Sequence, residues 1–275
     1  MRTAVILNAL RPMQVTIMYY PLQIPYQLNR AFAQNIAYTE TAAAECGGFV
    51  LCFWAMQPVT SRNLTVRNII VADGCIDLIA NFRERKVGFA GMSRTDFHFD
   101  ITLPAHFIGA RLTPGAFYQL TGLDATEAMD TFLPIKNVFG DFDEAHFFSL
   151  PFDEANIYFK RFLLEKTRTI TPDLFTALFH TLSDQECFTT KELYCLLHFS
   201  PRQCQRLFIK HFGIGPKMAL SIVRFQKCLE ILTSPKTTPA DLLNVAGYYD
   251  QPHLIKDFKR NIGITPLELI RIYQT

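Results

Sequence analysis

Two stretches in the last third of the sequence repeat each other at a constant offset of fifty residues: Leu193 answers Leu243, Phe208 answers Phe258, Gly213 answers Gly263, Ile214 answers Ile264 and Pro216 answers Pro266. A pattern written twice is a supersecondary unit built twice. Each copy reads as two short helices around a tight corner. In the first copy Ser200 caps a helix, Pro201 fits its first position and Gln203 completes a capping box. Cys204, Leu207, Phe208 and Phe212 then fall on one side, while Arg202, Arg206 and Lys210 recur every four residues on the other, flanked by Gln205. In the second copy Thr238 and Pro239 start a helix that stops at Gly247, a residue free to take a left-handed corner, and Asp250 caps the next one. Leu254, Ile255, Phe258 and Ile262 form its inward stripe and leave Gln251, His253, Lys256 and Arg260 outside.

Stripes of arginine, glutamine and lysine are rows of donors, and arginine and glutamine can pair with guanine and adenine edges in a DNA major groove. Between the copies, Pro216 to Leu232 holds few helix breakers. Seventeen helical residues span about 25 Å, a stiff brace for two helices entering successive major-groove faces of double-stranded DNA. Charge follows the same division. From Phe188 onward 12 Lys+Arg face 6 Asp+Glu, a net of +6; the remainder holds 15 against 19, a net of −4, and the two sum to the chain's +2. A basic end beside an acidic remainder directs polyanion binding to that end.

The 275 residues suit two domains, and no run is both long and apolar enough for a membrane span, so no membrane partner is expected. Seven scattered cysteines without a Cys-x-x-Cys pair point away from a disulfide framework and a zinc site, and toward a reducing cytoplasm. The apolar start is interrupted by Asn8 and Arg11, which disfavours a signal peptide, and Met13 is an alternative start. From Gln14 to Leu112 the text is strand-like. Gly47 to Pro58 reads as a buried strand, and Val66 to Phe82 as two strands joined at Asp73-Gly74. Thr113 to Gly122 reads as a turn and short helix, and Asp153 to Lys166 as a longer amphipathic helix. The expected architecture is therefore α+β in two domains. A mainly β, barrel- or sandwich-like domain with helices covers 1–165, a linker 166–171, and an all-α tandem helix-turn-helix domain 172–275.

The stretch GYYDQPHLIKDFKRNIGITPLELIR, Gly247 to Arg271, together with the unit before it, resembles the DNA-binding domain of the AraC/XylS family of bacterial transcriptional regulators, over roughly Pro172 to Arg271. The resemblance implies that helices starting near Ser200 and Asp250 read DNA, in agreement with the outward faces. Three positions depart from the family's pattern. His198 stands where the first corner usually has Gly, and Tyr194 and Leu243 stand where Ala is frequent; histidine tolerates a left-handed backbone better than most residues. CFWAM, ADGCIDLIANF, FAGM and GARLTPGAFYQLTG are similar to an uncharacterised domain that precedes AraC-type domains in some regulators. The wider family implies a sensing or dimerising role for it.

Other residues invite sharper readings. Trp54 could stack on a ligand, but its apolar neighbours favour core packing. Arg111 could hold an acidic effector or bond structurally to carbonyls. Asp73 and Asp77 are expected to shape a turn. His98, Asp100 and His106 lack a fourth metal ligand, and Cys204 and Cys228 fall on packed faces. No phosphate loop or nucleophile elbow occurs. The sequence thus leads to a non-enzymatic regulator of transcription, activator or repressor, without cofactor or metal. Its DNA contacts are expected from Arg202, Gln203, Gln205, Arg206, Lys210, Gln251, His253, Lys256 and Arg260. RNA polymerase and a small-molecule effector stand as further candidate partners, and either a monomer or a homodimer fits. A thiol-based repair enzyme fused to the reader, or a purely dimerising N-terminal module, are the competing readings.

Overall fold

The computed structural model describes residues 19–23, 30–69, 71–92, 98–184, 189–232, 248 and 250–274. The expected helix from Thr238 and its corner at Gly247 lie outside the described residues, as do Met1 and Met13. The N-terminal half is built on a six-stranded antiparallel sheet in the order β1-β2-β7-β4-β5-β8, with β1 Ile36–Ala42, β2 Val50–Pro58, β4 Ile76–Asn81, β5 Lys86–Gly91, β7 Phe107–Leu112 and β8 Phe132–Pro134. A second ribbon pairs β3 Leu64–Ile69 with β6 His98–Leu103. Alternation decides which residues face which layer. Phe53, Leu78, Phe89 and Ala110 point to one side, where they meet Phe117 of helix α2 (Ala116–Thr121), Phe147 of α3 (Glu144–Phe147) and Phe159 and Leu163 of α4 (Phe152–Thr167). On the other side Trp54 and Met56 pack with Val66, Ile101 and Leu103 of the ribbon and with Phe32 of α1 (Arg30–Asn35). The result is a layered β domain closed by helices.

Three expectations need correction. The helix α1 interrupts the strand-like region before β1. The two strands either side of Asp73-Gly74 do not form a hairpin, since β3 pairs with β6 while β4 pairs with β5 and β7. The stretch Val71–Cys75 instead carries the chain between sheets, and its apolar side chains are buried. Lys166 and Thr167 belong to α4, so the connection to the second half starts after Thr167 and not at Lys166.

The C-terminal half is helical: α5 Leu174–Asp184, α6 Thr190–Leu197, α7 Pro201–Phe212, α8 Pro216–Leu232, α9 Gln251–Ile262 and α10 Pro266–Gln274. Each end is written locally. Thr189 and Ser200 form capping boxes with Glu192 and Gln203, and Asp250 accepts from the His253 amide at 2.8 Å. His198 takes the left-handed corner itself, at φ 53 and ψ 33. One apolar cluster joins α5 to α8 with Tyr19, Ala72, Met92 and Met129, and another surrounds Val71 with Phe225, Leu229 and Phe258. Side chains of the N-terminal half are therefore built into both clusters of the helical half.

Candidate nucleic-acid interface

Helices α7 and α9 are twelve residues each, start with a polar cap and an early proline, and end at a left-handed glycine, Gly213 and Gly263. Both pack their apolar stripes on α8: Cys204, Phe208 and Phe212 are buried on α7, and Leu254, Phe258 and Ile262 on α9. Arg202, Gln205 and Arg206 stay exposed, as do Gln251, Lys256 and Arg260. Their charged ends are thereby offered to solvent on one face of each helix.

Three of the expected contact residues have other engagements. The Gln203 side chain accepts from the Ser200 amide at 3.0 Å, so its oxygen belongs to the capping box. Lys210 lies 4.5 Å from the centre of the Tyr118 ring on α2, and hydrogen bonding to that tyrosine pushes its ammonium pKa up. His253 is half-buried with its ring 5.2 Å from Tyr248. Next to Lys210, His211 is buried between Phe175, stacked at 3.9 Å, and Tyr118 at 4.5 Å; burial pushes its pKa down. Gly213 closes the same contact, because a Cβ there would stand 2.6 Å from Met129. The C-terminal half of α7 is thus gripped by the N-terminal domain while its first two turns remain open. Two exposed residues escaped the sequence reading. Ile209 follows Arg202 and Arg206 along the open stripe and suits a thymine methyl, and Lys259 adds a cation beside Arg260.

The N-terminal half holds a buried charge cluster. Arg111 on β7 faces three carboxylates, with Nε 3.5 Å from Asp73 and 3.5 Å from Asp77, and a guanidinium nitrogen 3.8 Å from Glu40. Of the two roles open to Arg111, the structural one has carboxylates as partners where the sequence suggested carbonyls. Asp73 does shape its turn, accepting from the Cys75 amide at 2.8 Å, whereas Asp77 sits in β4 directly opposite Arg111. Burial works against the charge of Arg111, and Asp77 and Asp73 outweigh it and raise its pKa. Burial pushes Asp77 up to about 6 against the pull of Arg111, with Asp73 adding to the rise. Tyr20 and Tyr38 hydroxyls donate to Glu40, and Gln23 donates to Asp73 at 2.6 Å. From this segment the Leu22 amide donates to Gln226 of α8 at 2.8 Å, and Gln226 donates to the Ala72 carbonyl at 2.9 Å.

Trp54 is both core and wall. It is 6% exposed, and its Nε1 donates to Asp77 at 3.0 Å. It also borders a cavity of about 580 Å³ on the ribbon side of the main sheet, with Ile79, Phe107 and Phe132. Of the residues weighed for a metal, Asp100 pairs with Arg67 at 3.1 Å, His106 packs near Phe152, and the side chain of His98 lies outside the described residues. Burial raises the pKa of Cys46 to about 11 and also raises those of Cys52, Cys75 and Cys204, which keeps these thiols protonated and poor nucleophiles. No helix among the described residues is long and apolar enough to cross a membrane.

Comparison with known proteins places these two halves. Residues 196–272 match the family described as a helix-turn-helix domain, and residues 42–134 match a domain of unknown function, DUF6597. No curated protein gives a significant match. Among solved structures the chain is similar to ToxT from Vibrio cholerae O395 bound to a small molecule, with 8% identity, a TM-score of 0.44, and coverage of 87% of this chain and 99% of that one. A second ToxT structure gives 8% identity, a TM-score of 0.42, and coverage of 86% and 98%. At these levels neither bears on function. The chain thus carries an AraC-type helix-turn-helix DNA-binding domain at its C-terminus and a DUF6597 domain ahead of it.

Proposed function

We propose that this regulator reads a specific DNA site with α7 and α9, and that its N-terminal domain modulates the reading. The observation that carries this is the pair of matched helices, each anchored on α8 by its apolar stripe and each exposing a basic and amide-bearing face. Arg202, Gln205 and Arg206 make the first set of contacts, and Gln251, His253, Lys256 and Arg260 the second. Lys210 joins them once it leaves Tyr118, and Gln203 acts only through the cap. Phosphate contacts supply most of the affinity and base-edge contacts select the site. We divide the chain into a sensory or assembly domain before the connection that follows Thr167 and a DNA-binding domain after it, and place its action in the cytoplasm. The shared apolar clusters favour modulation, because a change in either half is felt by the other.

Genomic fragments retained by the full chain and then sequenced test this reading. A limited set with a common bipartite site, its halves about one helical turn apart, is the expected result. Retention without sequence preference at any salt concentration would remove the specific-reader assignment.

A further inference from the structure

Register places the cavity and the charge cluster side by side on one face of the main sheet. Trp54, Gly109, Ile79 and Gly88 pair in a row across β2, β7, β4 and β5. Two residues along, on the same face, Cys52, Arg111, Asp77 and Ala90 form the next row. The two glycines carve the first row. A Cβ on Gly109 would stand 2.0 Å from the Trp54 ring, and one on Gly88 would stand 2.4 Å from the Leu133 carbonyl oxygen and 2.8 Å from the Phe132 ring, so glycine lets the indole lie over β7 and lets β8 with Phe132 close on β5.

We propose that this cavity binds a compact, flat, apolar monoanion and that Trp54 passes its occupancy through Asp77 and Arg111 to the helical domain. The proposal rests on the reading of the N-terminal domain as a modulator of DNA binding. A volume of about 580 Å³ falls in the range of small-ligand sites, and the walls are predominantly apolar. Phe132 keeps 40% of its surface in water at the edge, an apolar side chain that a flat ligand would cover. Three cations and two carboxylates border the cavity, Arg85, Lys86 and Lys136 against Glu84 and Glu144, leaving one positive charge in excess. Lys86 is held by Glu84 at 2.7 Å, and Arg85 lies over the Phe148 ring and donates to its carbonyl. Lys136 makes no ion pair among the described residues and is exposed. It is the cation left for a ligand's anionic group.

The route outward is continuous. The Trp54 indole donates to Asp77, and Arg111 Nε stands 3.5 Å from Asp77 on one side and from Asp73 on the other. That nitrogen is buried and has no hydrogen-bond partner among the described residues, so a small move of Asp77 decides which carboxylate it closes on. Asp73 is bonded to Gln23, one residue from the Leu22 amide that holds Gln226 on α8. Helix α8 carries both reading helices.

The single tryptophan of the chain makes the test direct. The full chain is titrated with 8-anilinonaphthalene-1-sulfonate and with its uncharged analogue N-phenyl-1-naphthylamine, while Trp54 emission is followed. Saturable quenching by both probes is expected, with the anion at least threefold tighter. Lys136→Gln should remove that preference, and Ile79→Glu should weaken both probes tenfold or more. Binding that ignores both substitutions would overturn the site. In parallel, anisotropy of a labelled duplex recovered by the genomic selection reads DNA affinity. The anionic probe should change it at least threefold in the wild type, and in neither Asp77→Asn nor Gln226→Met. Tight probe binding without any change in wild-type DNA affinity would overturn the relay. A chain that binds the probes but no duplex would refute the DNA-reading function and leave the cavity assignment standing.

Discussion

Asp77 offers a quantitative handle on the buried cluster. Its side chain is 17% exposed and it shares one guanidinium with Glu40 and Asp73, so burial raises it to about 6. The unfolded chain returns it to about 3.9. A carboxyl whose folded value is raised stabilises the fold while protonated; this stabilisation is complete below the unfolded value and is lost as pH rises through about 6. Two units correspond to about 3 kcal/mol in full, of which about 1.4 kcal/mol disappears between pH 5 and pH 7.5. Urea unfolding followed by Trp54 emission at the two pH values, in the wild type and in Asp77→Asn, isolates this contribution, because the amide does not titrate. The wild type should lose about 1 to 1.5 kcal/mol more than the variant as pH rises. Equal losses in the two proteins, or a larger loss in Asp77→Asn, would show that Asp77 is ionised throughout and that Arg111 outweighs its burial.

Two further substitutions probe contacts that hold the site. Tyr118→Ala removes the ring under Lys210 and one wall of the His211 pocket, and should raise DNA affinity by roughly twofold or more in an anisotropy titration by freeing the end of α7; unchanged or weaker binding would mean that this grip does not compete with DNA. Gly109→Ala forces the Trp54 indole off its strand and should cost about 1 to 3 kcal/mol in urea unfolding, with a shifted emission maximum. A stable variant with native emission would contradict the packing described for that row.

The helical half was legible because its signals are local. Ser200 with Gln203, and Asp250 with the amide of His253, are bonds within one helical turn, and the apolar stripe of α7 has a period that needs no knowledge of the rest of the chain. Strands were legible as strands for the same reason. Their pairing was not, since the partner of β3 lies beyond β4 and β5 in the chain and nothing near Asp73-Gly74 distinguishes a hairpin from a crossing between sheets. In the sequence Arg111 is a lone cation beside a turn; its three carboxylates come from β1, β4 and the stretch before β4, a convergence only tertiary structure reveals. Likewise the stripe Arg202, Arg206, Lys210 is uniform in the sequence, although Tyr118, far along the chain, takes its last member.

The assignment of α7 and α9 as readers is tested most directly by anisotropy titrations of one selected duplex and one scrambled duplex across a series of salt concentrations, with wild type, Arg206→Ala and Lys256→Ala. If Arg206 reads a base edge and Lys256 a phosphate, Arg206→Ala loses about 1 to 3 kcal/mol on the selected duplex and discriminates less against the scrambled one. Lys256→Ala then weakens both duplexes alike and reduces the salt slope by about 1. Affinities and salt slopes that match the wild type in both variants would contradict the placement of DNA on these two helices.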